Sequence, residues 1–279
     1  MTDVRRILLD LPRNDAQAHF SERAATAYLG NGQLLCRVLG DFKMVMLGSY
    51  LGMTPHLAFD GYWEWWLSHY FADAVQPGDH VLDVGANHGY FSVLANALSG
   101  PSGKLTAYEP NPDVFECLRK NMKLNGYTSR TTLHNAGLGT RTGELAPYLR
   151  HRDEPMNGRF LEPGDSREDA RASGEILDLP IHRPDPGDYE RLDFVKIDVE
   201  GAELDVLDAL SPLLDVHDPH VVCEVNFARG YTLDAVETRL KASHDLLFLD
   251  VDAALYPLTQ DVVDRRGSED LLAVRVRMP

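Results

Sequence analysis

An α/β fold, with a seven-stranded, mostly parallel sheet covered by helices on both faces, is what the amino-acid sequence predicts. Two observations carry this. Short β-rich runs alternate with helical patterns through most of the chain, and 279 residues suit one large core with additions. The strand candidates are "HVLDV" (80–84), "KLTAYE" (104–109), "TTLHNA" (131–136), "LDFVKIDV" (192–199), "HVVCEV" (220–225), "LLFLDV" (246–251) and "LLAVRV" (271–276).

The helix between the second and third strands is the best marked. Asn111 suits its N-cap, Pro112 its first position and Asn125-Gly126 its end, while Phe115, Leu118 and Met122 form an apolar stripe. Residues 79–279 are read as the main domain and 1–78 as an extension packed on its core and cofactor edge. In the extension, "DGYWEWWLSHYFADAV" predicts an aromatic helix with Tyr62, Trp66 and Tyr70 on one face. Glu64, inside that cluster, is harder to assign to packing and is counted with the cofactor residues. Between the third and fourth strands lies an insertion, 140–191, crowded from residue 150 with Pro, Gly and charge. It is expected to be partly irregular, with residues 150–180 forming a mobile flap over the acceptor site in which Met156 and Asn157 touch substrate.

A net charge of −16 without a Lys/Arg run argues against nucleic acid as a partner. No apolar run approaches the roughly 20 residues of a membrane span, and the N-terminus lacks a secretory pattern, so a soluble, cytoplasmic protein is expected. Cys36, Cys117 and Cys223 lack CxxC spacing and read as buried small residues.

The first strand runs into "DVGANHG". A dinucleotide fingerprint would need glycines at 85, 87 and 90, but those positions hold Gly85, Asn87 and Tyr90, with Gly89 displaced. What remains, Asp83-x-Gly85-Ala86-Asn87-x-Gly89, lets the backbone pass close to a ligand and sets Asp83 to meet an amino acid's ammonium. Glu109, ending the second strand before Pro110, can accept both hydroxyls of a ribose. Asn135 and Ala136, ending the third, can flank an adenine or simply make a turn. Adenosine joined to an amino acid points to S-adenosylmethionine.

"VLDVGANHGYFS", "AYEPNPDVFECLRKNMKLNG" and "FVKIDVEGAELDVL" together resemble the successive motifs of FkbM-like S-adenosylmethionine-dependent methyltransferases, from about Gly61 to Asn226. The resemblance implies a class I, Rossmann-like methyltransferase fold and O-methylation of a hydroxyl on a sugar, glycan or polyketide-type product. It also implies cofactor roles for Asp83, Gly85, Asn87, Gly89 and Glu109.

The fourth strand delivers Asp198 to the carboxyl edge, followed by Glu200 and Glu203. Asp198 is expected to take the acceptor's proton, assisted by Glu200, with Lys196 on the same strand face orienting it. Glu203 suits a structural role in a first helical turn. Glu224 and Asn226, at the next strand end, are read as hydrogen-bonding a polyhydroxylated acceptor. With Asp198 they could also supply oxygen ligands to a divalent metal, which the spacing permits without favouring. His88 reads as packing in the bend and His182 as solvated. The leading function is O-methylation of a glycan or glycosylated product. A secondary-metabolite hydroxyl and a non-catalytic S-adenosylmethionine-binding module are the alternatives.

Overall fold

The computed structural model describes residues 3–141, 143–152, 158–161, 164–240 and 246–276. Helices α1 (Asp3–Asp10) and α2 (Arg13–Arg23) lead into an antiparallel sheet of β1 (Ala25–Gly30), β2 (Gln33–Val38) and β3 (Phe42–Leu47). The sequence reading places no strand before residue 80. The overlooked signal is Asn31-Gly32, both at positive φ, the two-residue turn that suits a right-twisted hairpin. Next come α3 (Thr54–Phe59) and α4 (Trp65–Ala74). Because α4 begins at Trp65, Tyr62 precedes it and the predicted three-residue face is broken. Residues of α1, α4 and α5 (Tyr90–Ser99), among them Leu8, Phe71 and Leu94, share one hydrophobic core.

All seven predicted strands occur in the main sheet. They are β4 (His80–Val84), β5 (Lys104–Tyr108), β6 (Thr131–His134), and, beyond the insertion, β11 (Phe194–Ile197), β12 (His220–Asn226), β13 (Leu247–Leu249) and β15 (Asp270–Arg275). An eighth, β14 (Leu255–Pro257), pairs with β13 at one edge. The order is β14-β13-β15-β12-β11-β4-β5-β6, with β12, β11, β4, β5 and β6 parallel and β15 inserted antiparallel. Helix α6 (Pro112–Leu124) joins β5 to β6, and Asn111 caps it by accepting from the Asp113 N–H. On the other face, α8 (Glu203–His217) and α9 (Leu233–Leu240) bury Leu207, Leu210 and Val236 against Leu82, Val195 and Ile197. Helix α10 (Gln260–Arg266) precedes β15.

The described part of the insertion is more regular than its composition suggests. It contains β8 (Leu145–His151), β9 (Arg159–Phe160), α7 (Arg167–Ser173) and β10 (Gly174–His182), and β7 (Gly137–Leu138) just precedes it. They form a four-stranded sheet in the order β7-β10-β8-β9, with β10 antiparallel to β8 along its length. Leu149, Leu177 and Ile181 supply apolar side chains that the density of Pro and charge obscured. Winding reverses between β4 and β11, which places a crevice at their carboxyl ends, where open α/β sheets bind ligands.

Candidate active site

Strand order sets the residues of this crevice along the sheet edge: Ala136 beyond β6, Glu109 beyond β5, the bend of Gly85 beyond β4, Asp198 beyond β11, Glu224 in β12 and Asp270 opening β15. All of them line one cleft. The bend is held by the neighbouring strand, since the Gly85 and Ala86 N–H groups donate to the Tyr108 carbonyl. Gly85, at φ +78°, allows closest approach: a Cβ there would lie 1.7 Å from the Asp198 carbonyl oxygen. Gly89 serves packing, because its Cβ would fall 2.5 Å from Leu118 of α6. His88 is fully buried; its Nε2 accepts from the Leu47 N–H and its Nδ1 donates to Asn87 Oδ1. Burial pushes it down to about 3.

Glu109 Oε2 accepts from the Asn87 N–H at 2.9 Å and Oε1 from the Asn111 N–H at 2.8 Å. Burial lifts this carboxyl to about 7 against those two donors. Two cofactor expectations need correction. Asn135 does not reach the cleft: its amide donates to the carbonyls of Glu109 and Pro110, tying two strand ends together. Asp83, 1% exposed, is also behind the cleft wall, where Ser92 Oγ donates to it and Lys196 stands 3.7 Å away. Its cation is the chain's own lysine, because the register pairs Lys196 with Asp83.

Lys196 reaches past Asp83 to Asp198, with Nζ 3.1 Å from Oδ2. Burial opposes its charge, but Asp198 and Asp83 outweigh burial and hold the ammonium above its usual range. Asp198 itself is about one-third exposed, toward the cleft. Glu200 sits at φ +56° and pairs with Arg229 at 2.9 Å; burial, then the nearby Asp198 charge, raise it to about 7. Glu64 lines the same region and is raised to about 7, again by burial first and Asp198 second. Glu224 is driven well above its ordinary range, chiefly by the Asp198 charge. Glu203 is structural, accepting from the Gly201 N–H and from Tyr231.

Asn226 does not line the cleft; its side chain donates to Asp270 and accepts from the Ala228 N–H. Met156 and Asn157 lie outside the described residues. Insertion residues that do face the cleft are Tyr148, Gly158, Arg159 and Phe160. His182, expected in solvent, instead shares a hydrogen bond with the Tyr108 hydroxyl at 2.7 Å and stacks with that ring. Asp270 was missed. The available signal was that an antiparallel strand begins where its parallel neighbours end, and Asn226 pairs with Asp270.

The methyltransferase FkbM domain matches residues 83–252. The chain belongs to the FkbM methyltransferase family. This FkbM enzyme is an S-adenosylmethionine-dependent methyltransferase, in agreement with its relatives. It is 30% identical over 187 residues to Methyltransferase sdnD of Sordaria araneosa, covering 57% of this chain and 71% of that protein. It is 33% identical over 110 residues to the Protein-L-isoaspartate O-methyltransferase of Aeropyrum pernix, covering 39% and 41%. The solved structure of Methyltransferase FkbM from Methylobacillus flagellatus KT aligns with a TM-score of 0.46 at 14% identity, covering 82% of this FkbM chain and 53% of that one. Among the described residues no helix is long and apolar enough to cross a membrane.

The cleft fits the methyl donor that the family implies. Glu109 keeps lone pairs that could accept from a ribose diol, Ala136 and Leu138 could wall a purine, and the Glu64 carboxylate could face a cationic centre.

Proposed function

We propose that the enzyme methylates a hydroxyl of a sugar, glycan or glycosylated product, and that Asp198 takes the hydroxyl's proton. The observation that carries this reading is the position of Asp198. It lies in the same cleft as Glu109, partly exposed, with one oxygen anchored by a buried lysine. Bound S-adenosylmethionine supplies a methyl carbon already activated by its sulfonium. The chain's task is then to align the acceptor and manage one proton.

Lys196 fixes the Asp198 carboxylate through Oδ2, leaving Oδ1 for the acceptor hydroxyl. Asp198 Oδ1 would accept the hydroxyl's proton as the acceptor oxygen takes up the methyl group supplied by the bound cofactor. Glu200, held by Arg229, assists from the adjoining turn. Glu224 and Asp270 present further acceptors to a polyhydroxylated substrate, while Trp63 and Phe91 supply aromatic surface. O-methylation is also the activity in the name of the Aeropyrum relative.

Calorimetry with S-adenosylhomocysteine, combined with turnover on an acceptor found by a mass gain of one CH₂ in glycans and small products, tests the assignment. Glu109→Ala should weaken S-adenosylhomocysteine binding by about 1.5–3 kcal/mol, the scale of hydrogen bonds to a charged group. Asp198→Asn should keep that affinity but slow turnover ~10²-fold or more. Near-normal turnover in Asp198→Asn would remove the aspartate from the chemistry.

A further inference from the structure

We propose that Tyr50, in the N-terminal extension, is a further cofactor-binding residue, whose phenolic proton is donated to one oxygen of the ribose diol held by Glu109. This rests on the reading of Glu109 as the ribose carboxylate. Tyr50 lines the cleft together with Glu109 and is only 3% exposed. An ionised carboxylate can only accept, so Glu109 satisfies the protons of the two ribose hydroxyls and leaves their oxygens without a donor. Tyr50 is placed to supply one.

The direction of its hydroxyl follows from Asn111. Asn111 Oδ1 accepts from the Asp113 N–H at 3.1 Å as the cap of α6, so the nitrogen end of the amide faces Tyr50. That nitrogen donates to the Tyr50 oxygen at 3.1 Å. With its oxygen accepting, the phenol must place its own proton elsewhere, and among the described residues no acceptor takes it. A buried hydroxyl without an acceptor is costly. Burial, then the charge of Glu109, push the phenol above its usual range, so it keeps this proton at neutral pH.

The donor is also held in place before any ligand arrives. Asn121 of α6 pairs with the Val45 N–H at 2.6 Å and the Val45 carbonyl at 3.1 Å, and the Leu47 N–H donates to His88 Nε2 at 3.1 Å. These bonds tie β3 to α6 and to the glycine bend. Tyr50 lies just beyond β3, its N–H donating to the Leu47 carbonyl, and its ring stands edge-on to the buried His88 ring at 4.7 Å. A donor fixed in this way needs little further ordering when the cofactor binds. The extension thus does more than cover the core, since it completes the ribose end of the cleft.

The test is calorimetry of the full chain with S-adenosylhomocysteine and with its 2′-deoxy and 3′-deoxy analogues. Tyr50→Phe should weaken S-adenosylhomocysteine binding about three- to tenfold, the range of one hydrogen bond. With the analogue that lacks the oxygen reached by Tyr50, wild type and Tyr50→Phe should bind alike. An equal loss with all three compounds would show that the tyrosine acts through packing alone, and wild-type affinity in Tyr50→Phe that its proton goes unused; either result overturns the proposal. Should Tyr50→Phe fail to fold by circular dichroism, Asn111→Asp takes its place: the carboxylate keeps the cap, draws the phenolic proton away from the cleft and should give the same analogue-dependent loss. Glu109→Ala with the same compounds separates the two readings. Weakened S-adenosylhomocysteine binding in Glu109→Ala but not in Tyr50→Phe defeats the tyrosine assignment alone, and unchanged binding in Glu109→Ala defeats the ribose reading and the proposal with it.

Discussion

Gly85 shows at single-residue scale how the site depends on backbone contact. A β-carbon would collide with the Asp198 carbonyl at 1.7 Å, and φ is +78°. Gly85→Ala must therefore pry the ends of β4 and β11 apart or rotate the bend. We expect a stability loss of about 1–3 kcal/mol in urea unfolding, from the strained φ alone, and loss of S-adenosylhomocysteine affinity by calorimetry. Wild-type values for both would mean that the bend tolerates the extra carbon. At this scale the sequence was legible where spacing along the chain encodes chemistry. Glu109 and Asp198 stand at strand ends because each ends an apolar run. Asp83 and Asn135 misled because sequence places a residue at a strand end without saying which way its side chain turns. One faces a buried lysine and the other its neighbour's carbonyls.

The elements carry the same lesson through long-range partners. Helix α6 was readable because its cap, first proline and stripe are local signals. The role of α1 was not, because the decisive contacts of Arg5 lie far along the chain. Its buried guanidinium donates to the carbonyls of Ala72 and Val75 at the end of α4, and to that of Leu98 in α5 at 3.3 Å. Helix ends leave such carbonyls without intrahelical partners. Arg5→Met keeps an apolar stem and removes the donors, so two helix ends would lose a charged partner in a buried place. A loss of about 2–4 kcal/mol in urea unfolding is expected, with the far-ultraviolet spectrum retained. A change under about 0.5 kcal/mol would show that water replaces the arginine. The insertion was misread for a related reason: the pairing of β8 with β10 depends on partners separated by the residues between them, while Pro, Gly and charge are counted locally.

Across the whole molecule, buried groups with opposite shifts should shape stability against pH. Glu109 and Glu64 are raised in the folded chain from the ordinary carboxylate value of 4.5 to about 7, burial being the first cause of each. Folding then favours their protonated forms, so their contribution is complete below about pH 4.5 and is lost as pH rises through 7. His88 acts in the other sense. Its folded value of about 3 lies below the ordinary 6.5, so its contribution is present above pH 6.5 and fades as pH falls toward 3. Without cofactor, Tm should pass through a maximum on the weakly acidic side and decline toward pH 8. Glu109→Gln should flatten that decline, whatever its effect on absolute stability, because an amide does not titrate. Both Glu109 oxygens already accept a backbone N–H, so the ionised form has the most remaining capacity for a ribose diol. The rise in Tm caused by S-adenosylhomocysteine should therefore be larger at pH 8 than at pH 5.5 in the wild type, and this difference should shrink in Glu109→Gln. Thermal unfolding of the two proteins at both pH values, with and without S-adenosylhomocysteine, decides the matter; the same pH response in both would show that Glu109 does not couple cofactor binding to protons.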